Sequence, residues 1–459
     1  MIAMRVAPLL LAWAAGQDTT SFEEKLLGQI PDDVIFKDIA FSRDGRSVAY
    51  LALANGRMAV TVNNTRGKEY EKIADKPQFT KDGKTVVYRA FSGGGWHVVV
   101  GTNPGPAMAV VGMPVFSPDL SKYAFEGSRG GAGTATANSA SVWVGGQKGP
   151  DWAACGAPAF SADGSVVAHS ARVVRPGTAT QGMGTSYVMV INNKASPQVQ
   201  TVSNPFFAPK GRLMAYRCCS NEMWSMVVDG KEHADKWSDL GNPVWDPEGK
   251  HVAYKAGTEG LFRRIVTDGK KGEEFDLVGE PVWSQDGKAV AYRAQKGEDR
   301  LIVFGDKKLP GYAGVGEPAL SPDGTSVAFP AVKDFKWGIV FGDKKLPFDF
   351  EMVTQPTFSP DGKHVAYQAM WKFKYLTVVD DVRDAPYDHT GLPTWAPQSN
   401  KVAYASKRDN KWYMVVAYRT QEGFDEILTP PYWKADGTKV AFGARKDRSL
   451  IWRVVEVTD

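Results

Sequence analysis

Three cysteines and six histidines are all that 459 residues contain, too few for a disulfide framework or a Cys/His metal site. His97, His169, His233, His251, His364 and His389 fall in different parts of the chain, with no ligand spacing such as H-E-x-x-H. Neither a metal nor a cofactor is expected. An excess of one charge is missing too. The 55 Lys plus Arg nearly cancel the 51 Asp plus Glu, leaving +4, which does not indicate a nucleic-acid partner. No apolar run approaches the roughly twenty residues of a membrane-spanning helix. The longest runs from Val6 to Ala15, behind Arg5, within residues 1–16, MIAMRVAPLLLAWAAG. That layout is a secretory signal peptide, and it predicts an exported chain, periplasmic or extracellular, with no integral membrane segment after cleavage. What remains, 43% hydrophobic and 23% charged, is the balance of a globular chain and excludes disorder.

A repeat runs through the rest. An aromatic residue, then Ser-x-Asp-Gly, two variable positions and Val-Ala-aromatic occurs as FSRDGRSVAY from Phe41 and FSPDGKHVAY from Phe358. Further copies start at Phe79, Trp283, Leu320 and Trp433, and weaker ones at Phe116, Phe160, Phe207, Trp245 and Trp395. The eleven anchors are 38, 37, 44, 47, 38, 38, 37, 38, 37 and 38 residues apart, and ten of them have a proline two residues earlier, as at Pro281 and Pro356. Each unit contains alternating apolar runs joined by Asp-Gly, a strong hairpin signal because glycine adopts positive φ without steric cost. Four strands in about 38 residues define a propeller blade, which cannot bury its faces alone. The expected fold is therefore all-β: a β-propeller of eleven four-stranded blades over residues 39–459, preceded by an N-terminal segment, residues 17–38.

These F-S-P-D-G-K-x-V-A-Y units resemble the WD-repeat-like blades of the TolB family, and the resemblance covers residues 39–459. It implies a binding or scaffolding role. TolB carries an α/β domain before its propeller where this sequence has only residues 17–38, a departure that weakens a Tol-system role. Prolyl-oligopeptidase relatives share such blades but add a hydrolase domain with a G-x-S-x-G turn; that motif is missing here.

The last unit lacks a fourth strand, and Asp33 to Asp38 are expected to supply it, so that N- and C-terminal strands pair and no sheet edge stays open. Eleven blades exceed the usual four to eight, which favours two rings of about five and six over one large ring.

The two long spacings arise between second and third strands, in Glu126 to Ser141 and Ala171 to Ser186. Adjacent blades place these loops side by side. Arg129, Arg172, Arg175 and Gln181 are the candidate binding residues of a recognition lip. The Asp-Gly aspartates, including Asp44, Asp82, Asp163, Asp286, Asp323, Asp361 and Asp436, recur with the turns and read as turn structure, and the repeat-position tryptophans as blade packing. A bridge from Cys155 to Cys218 or Cys219 is conceivable between consecutive units. No catalytic residue stands out. Val115, Ala159, Phe206, Val244, Val282, Ala319, Thr357 and Thr394, which precede the anchors on the first strands, are small or apolar. They weaken the alternative of an enzyme or small-ligand receptor using the central channel. The expected function is non-enzymatic recognition of a protein or peptide in the cell envelope.

Overall fold

The computed structural model describes residues 20–32, 34–130, 139–175, 184–258, 260–342, 344 and 346–457, with the side chain of Arg175 excepted. Every regular element among them is a β-strand, and the strands form eleven antiparallel sheets, one per repeat. Blade 9 illustrates the unit. Its first strand is split into Met352–Val353 and Thr357–Phe358, both paired with Val365–Trp371, which pairs in turn with Lys374–Val379 and then Val382–Arg383. The split falls at Pro356, which has no N–H to give to the ladder. Blade 1 has no such proline, and its first strand Ile35–Phe41 runs on, with a register shift at Asp38, whose φ is +54°.

The Asp-Gly turns are built by side chains. Ser161 Oγ donates to Asp163 Oδ1 at 2.6 Å while the same carboxylate accepts the Ser165 N–H, and Ser284–Asp286, Ser321–Asp323 and Ser359–Asp361 repeat the arrangement; Ser117 and Asp119 do so in blade 3, where Leu120 holds the glycine position at φ +57°. Serine is thus required by the turn, and glycine by its neighbour as well as by φ. Gly324 (φ +68°) packs against Ser284 and Asp286 of the preceding blade, and Gly362 (φ +71°) against Ser321 and Asp323. Anchor tryptophans staple the same interfaces. The indole N–H of Trp245 donates to Phe206 O and that of Trp283 to Val244 O, both at 3.0 Å across a blade boundary.

Apolar residues of the second and third strands fill the gaps between blades. One buried cluster joins each consecutive pair, for example Tyr70 with Tyr88 between blades 1 and 2, and Phe350 with Tyr367 between blades 8 and 9. A further cluster joins blade 11 to blade 1 through Ala441, Leu450 and Trp452 against Ile39, Val48 and Tyr50. The eleven blades therefore form one closed ring, in place of the two smaller rings that the blade count favoured. The reason is that every interface is built from the same repeat positions, so none marks a break.

Closure by N- and C-terminal pairing is present, with a different strand from the expected one. Lys25–Gln29 pairs antiparallel with Ser449–Glu456 and supplies the fourth strand of blade 11. Most of the Asp33–Asp38 segment instead enters the first strand of blade 1, whose Ile35 pairs with Leu53; Asp33 lies outside the described residues. Leu27 and Ile30 are buried in the closing cluster, and the Arg448 side chain bonds the carbonyls of Ile30, Pro31 and Val34. Cys155, Cys218 and Cys219 are free thiols.

Candidate functional site

In each blade the connection between second and third strands lies at the end opposite the Asp-Gly turn. On that rim blades 3 and 4 carry their long connections, whose central residues, 131–138 and 176–183, lie outside the described residues. Two clefts open at their bases. The first, about 330 Å³, is walled by Met108 of blade 2 and by Arg129, Ser141, Trp143, Lys148 and Asp151 of blade 3. The second, about 690 Å³ and more open, lies between blades 4 and 5, walled by Thr185, Ser186, Gln200, Asn221 and Glu222 among others.

A local irregularity builds the first cleft. The third strand Ala140–Val144 and the fourth strand Gln147–Trp152 shift register between Ser141 and Trp143, a bulge that re-aims side chains. Lys148 and Asp151, three apart, consequently meet. Lys148 Nζ lies 2.7 Å from Asp151 Oδ2, and Ser141 Oγ donates to Asp151 Oδ1 at 2.5 Å. The ammonium and the hydroxyl hold the Asp151 carboxyl below its ordinary range, and the Arg129 guanidinium adds to the effect. Trp143 stacks on Phe125, 6.2 Å between centroids, giving the cleft a rigid aromatic wall. The site joins a flat apolar surface to an exposed guanidinium beside a paired carboxylate.

Of the four residues expected to form a lip, Arg129 lines this cleft. Arg172 sits in the second strand of blade 4, opposite Tyr187, with its Nε buried and lacking a hydrogen-bond partner, and is in the wall of neither cleft. Arg175 ends the same strand. Gln181 lies outside the described residues. Sequence reasoning missed Trp143, Lys148 and Asp151, which the structure brings together in a six-residue fourth strand of blade 3 where blades 4 to 7 have two residues.

A second polar region surrounds the first strands, which contact one another from blade to blade and so lie innermost. The residue following the Val-Ala-aromatic triplet extends across the blade boundary. Lys255 Nζ meets Glu280 Oε1 at 2.6 Å, Arg293 Nε meets Glu317 Oε1 at 2.6 Å, and Arg217 Nη1 donates to Leu240 O at 2.5 Å. Arg89 pairs with Asp75 of its own blade and donates to Val111 O of the next at 2.7 Å. Glycines on the first strand make room: a Cβ on Gly279 would collide with Arg293, and one on Gly112 with Glu126. Burial raises the Glu126 and Glu317 carboxyls above the ordinary range, against the opposing pull of Arg89 and Arg293 respectively. The small residues before the anchors had hidden this belt, because its side chains come from the second strand and from the position before each proline.

His169 is buried in blade 4, its pKa lowered by desolvation, as suits a core position. Burial pushes the Cys155 thiol up to about 12, with the Glu126 and Asp151 carboxylates adding to the shift. Among the described residues no group of three or more His, Cys, Asp or Glu is disposed to hold a metal ion, and no helix is long and apolar enough to cross a membrane.

These features define the chain as an eleven-bladed β-propeller. No protein-family model matches it, and no curated protein matches it. Among solved structures it is similar to a eukaryotic initiation factor, at 10% identity over 68% of this chain and 86% of that one, with a TM-score of 0.38. It is also similar to TolB from Acinetobacter baumannii, at 16% identity over 64% of this chain and 81% of that one, with a TM-score of 0.27. A third is the dihydro-heme d1 dehydrogenase NirN, at 11% identity over 80% and 74%, with a TM-score of 0.31. The fold assignment stands on the strand pairing and the blade interfaces described above.

Proposed function

We propose that this chain is an exported, non-enzymatic binding module of the cell envelope, periplasmic or extracellular, that recognises a protein or peptide through the rim of blades 3 to 5. The supporting observation is the cleft at the base of the first long connection, where Trp143 and Met108 supply apolar surface and Arg129 supplies an exposed cation. Aromatic and arginine side chains together are the usual anchors of protein recognition. An extended segment bearing an apolar and an acidic side chain fits this chemistry. The leader-like composition of residues 1–16 supports export.

A small ligand in the central channel is the second reading, and the belt of Arg217, Lys255 and Arg293 favours it. Lys255 and Arg293 are already paired across blade boundaries, so their first service is to join blades.

The test is capture from an envelope extract by the immobilised wild type and by an Arg129→Glu variant of unchanged circular dichroism. One defined partner retained by the wild type and lost by the variant supports the reading. Equal capture by both contradicts it.

A further inference from the structure

Two phenylalanines occupy positions that the backbone disfavours and solvent opposes. Phe335 and Phe373 are the second residues of the two-residue turns joining the second and third strands of blades 8 and 9, Val327–Lys333 to Lys336–Phe341 and Val365–Trp371 to Lys374–Val379. Their φ values are +59° and +60°. At the same turn position blades 1, 2, 6 and 10 place Gly56, Gly94, Gly260 and Asn410, the residues that tolerate this region. A bulky side chain there costs of order 1 kcal/mol. Nothing among the described residues offsets that cost, because Phe335 is 99% and Phe373 is 87% exposed. Leu120 and Tyr418, the other large apolar side chains held at positive φ, are at least half covered.

The surroundings are amphipathic. Lys333 and Lys336 flank the first ring and Lys372 and Lys374 the second, in KDFK and WKFK, all four exposed. The next tip, on blade 10, adds Lys407, Arg408 and Lys411. Acids are present as well. Asp334 and Asp409 sit on the tips, while Glu351, Asp388 and Asp425 pair with Lys336, Lys374 and Lys411 from the start of the following blades. Such exposed pairs contribute little, so lipid phosphate can replace the carboxylates. Ile35, Leu53, Met223, Leu261 and Leu277 are exposed at the same ends of their blades.

We infer that this rim rests on an anionic lipid bilayer, with Phe335 and Phe373 inserted among the headgroups and the neighbouring lysines on lipid phosphate. Two single rings that stand almost fully exposed on hairpin tips suit a deformable bilayer better than a shaped protein pocket. The two inserted rings, on blades 8 and 9, share the rim with the cleft of the proposed recognition site but lie on different blades from it.

The test is flotation of the full chain with vesicles of phosphatidylcholine, with and without about one-third phosphatidylglycerol. The wild type is expected to partition onto the anionic vesicles and much less onto neutral ones. Phe335→Asn with Phe373→Asn suits the turn, so melting is expected to be unchanged or raised, while partitioning falls by about tenfold or more per ring. Lys333→Gln with Lys372→Gln should weaken anionic binding alone. Failure of the wild type to float, equal flotation of the Asn variant, or equal binding to both vesicles would overturn the inference. Arg129→Glu is expected to float like the wild type, so loss of partner capture and loss of lipid binding remain distinguishable.

Discussion

Trp452, in the last blade, lies against Gly45, in the first Asp-Gly turn, so closely that no Cβ fits between them. The Trp452 indole N–H donates to Ser21 O at 2.8 Å, tying the chain's beginning to the same contact. Gly45 also holds φ at +68°. Gly45→Ala therefore meets strain and overlap together, and is expected to cost about 2–4 kcal/mol. Gly211→Ala, at φ +71° with open space around it, should cost only about 1 kcal/mol. Urea denaturation of the two variants checks the difference; equal losses would mean that the closing contact contributes nothing.

Removing residues 20–30 exposes the edge of Ser449–Glu456 and empties the cluster around Leu27 and Ile30. An unpaired strand edge is a template for association. The truncated chain is expected to melt lower and to aggregate with increasing concentration, as light scattering would record.

The turn aspartates are expected to contribute to the loss of stability in acid. Hydrogen bonds from Ser117, Ser161 and Ser284 hold Asp119, Asp163 and Asp286 at about 2, from an ordinary 3.8. A depressed carboxyl contributes stability above its unfolded value and loses it as pH falls through the folded one. The contribution of these turns should be constant above about pH 4 and be lost between about pH 4 and 2, seen as a drop in melting temperature over that range. In Asp119→Asn that drop should be smaller.

Glu126 behaves oppositely. Its carboxyl is raised by burial, so its contribution to stability is greatest below the unfolded value and declines as pH rises through the folded one. Glu126→Gln should be more stable than the wild type at pH 7, and the advantage should vanish on acidification below about pH 4. Parallel melts at the two pH values decide it.

Trp283→Phe keeps most of the apolar surface but loses the bond to Val244 O. Losing that bond at a blade boundary should cost about 1 kcal/mol, measurable by denaturant titration against the wild type.

Much of this architecture was legible because propeller blades repeat. The anchors at Phe41, Phe79 and onward gave blade number and strand order, Asp163 and its equivalents were recognisable as turn formers, and Trp245 and Trp283 as packing. Ring number was not legible, since each interface uses the same Val-Ala-aromatic positions and differs nowhere in kind. Nor was the closing strand: Lys25–Gln29 carries no anchor motif, whereas Asp33–Asp38 adjoins one. The belt of Arg89, Arg217, Lys255 and Arg293 was overlooked for a different reason. It occupies the variable position after the Val-Ala-aromatic triplet, whereas the channel was judged from the small residues that precede the anchors. In the cleft, Arg129 was reachable from loop length, but the meeting of Lys148 with Asp151 depends on a register shift that no local pattern announces.

One closed ring of eleven blades underlies every surface described, and averaged electron-microscopy projections of the purified chain test it most directly. A single annulus with eleven equally spaced spokes is the expected view. Two smaller rings joined side by side would contradict it.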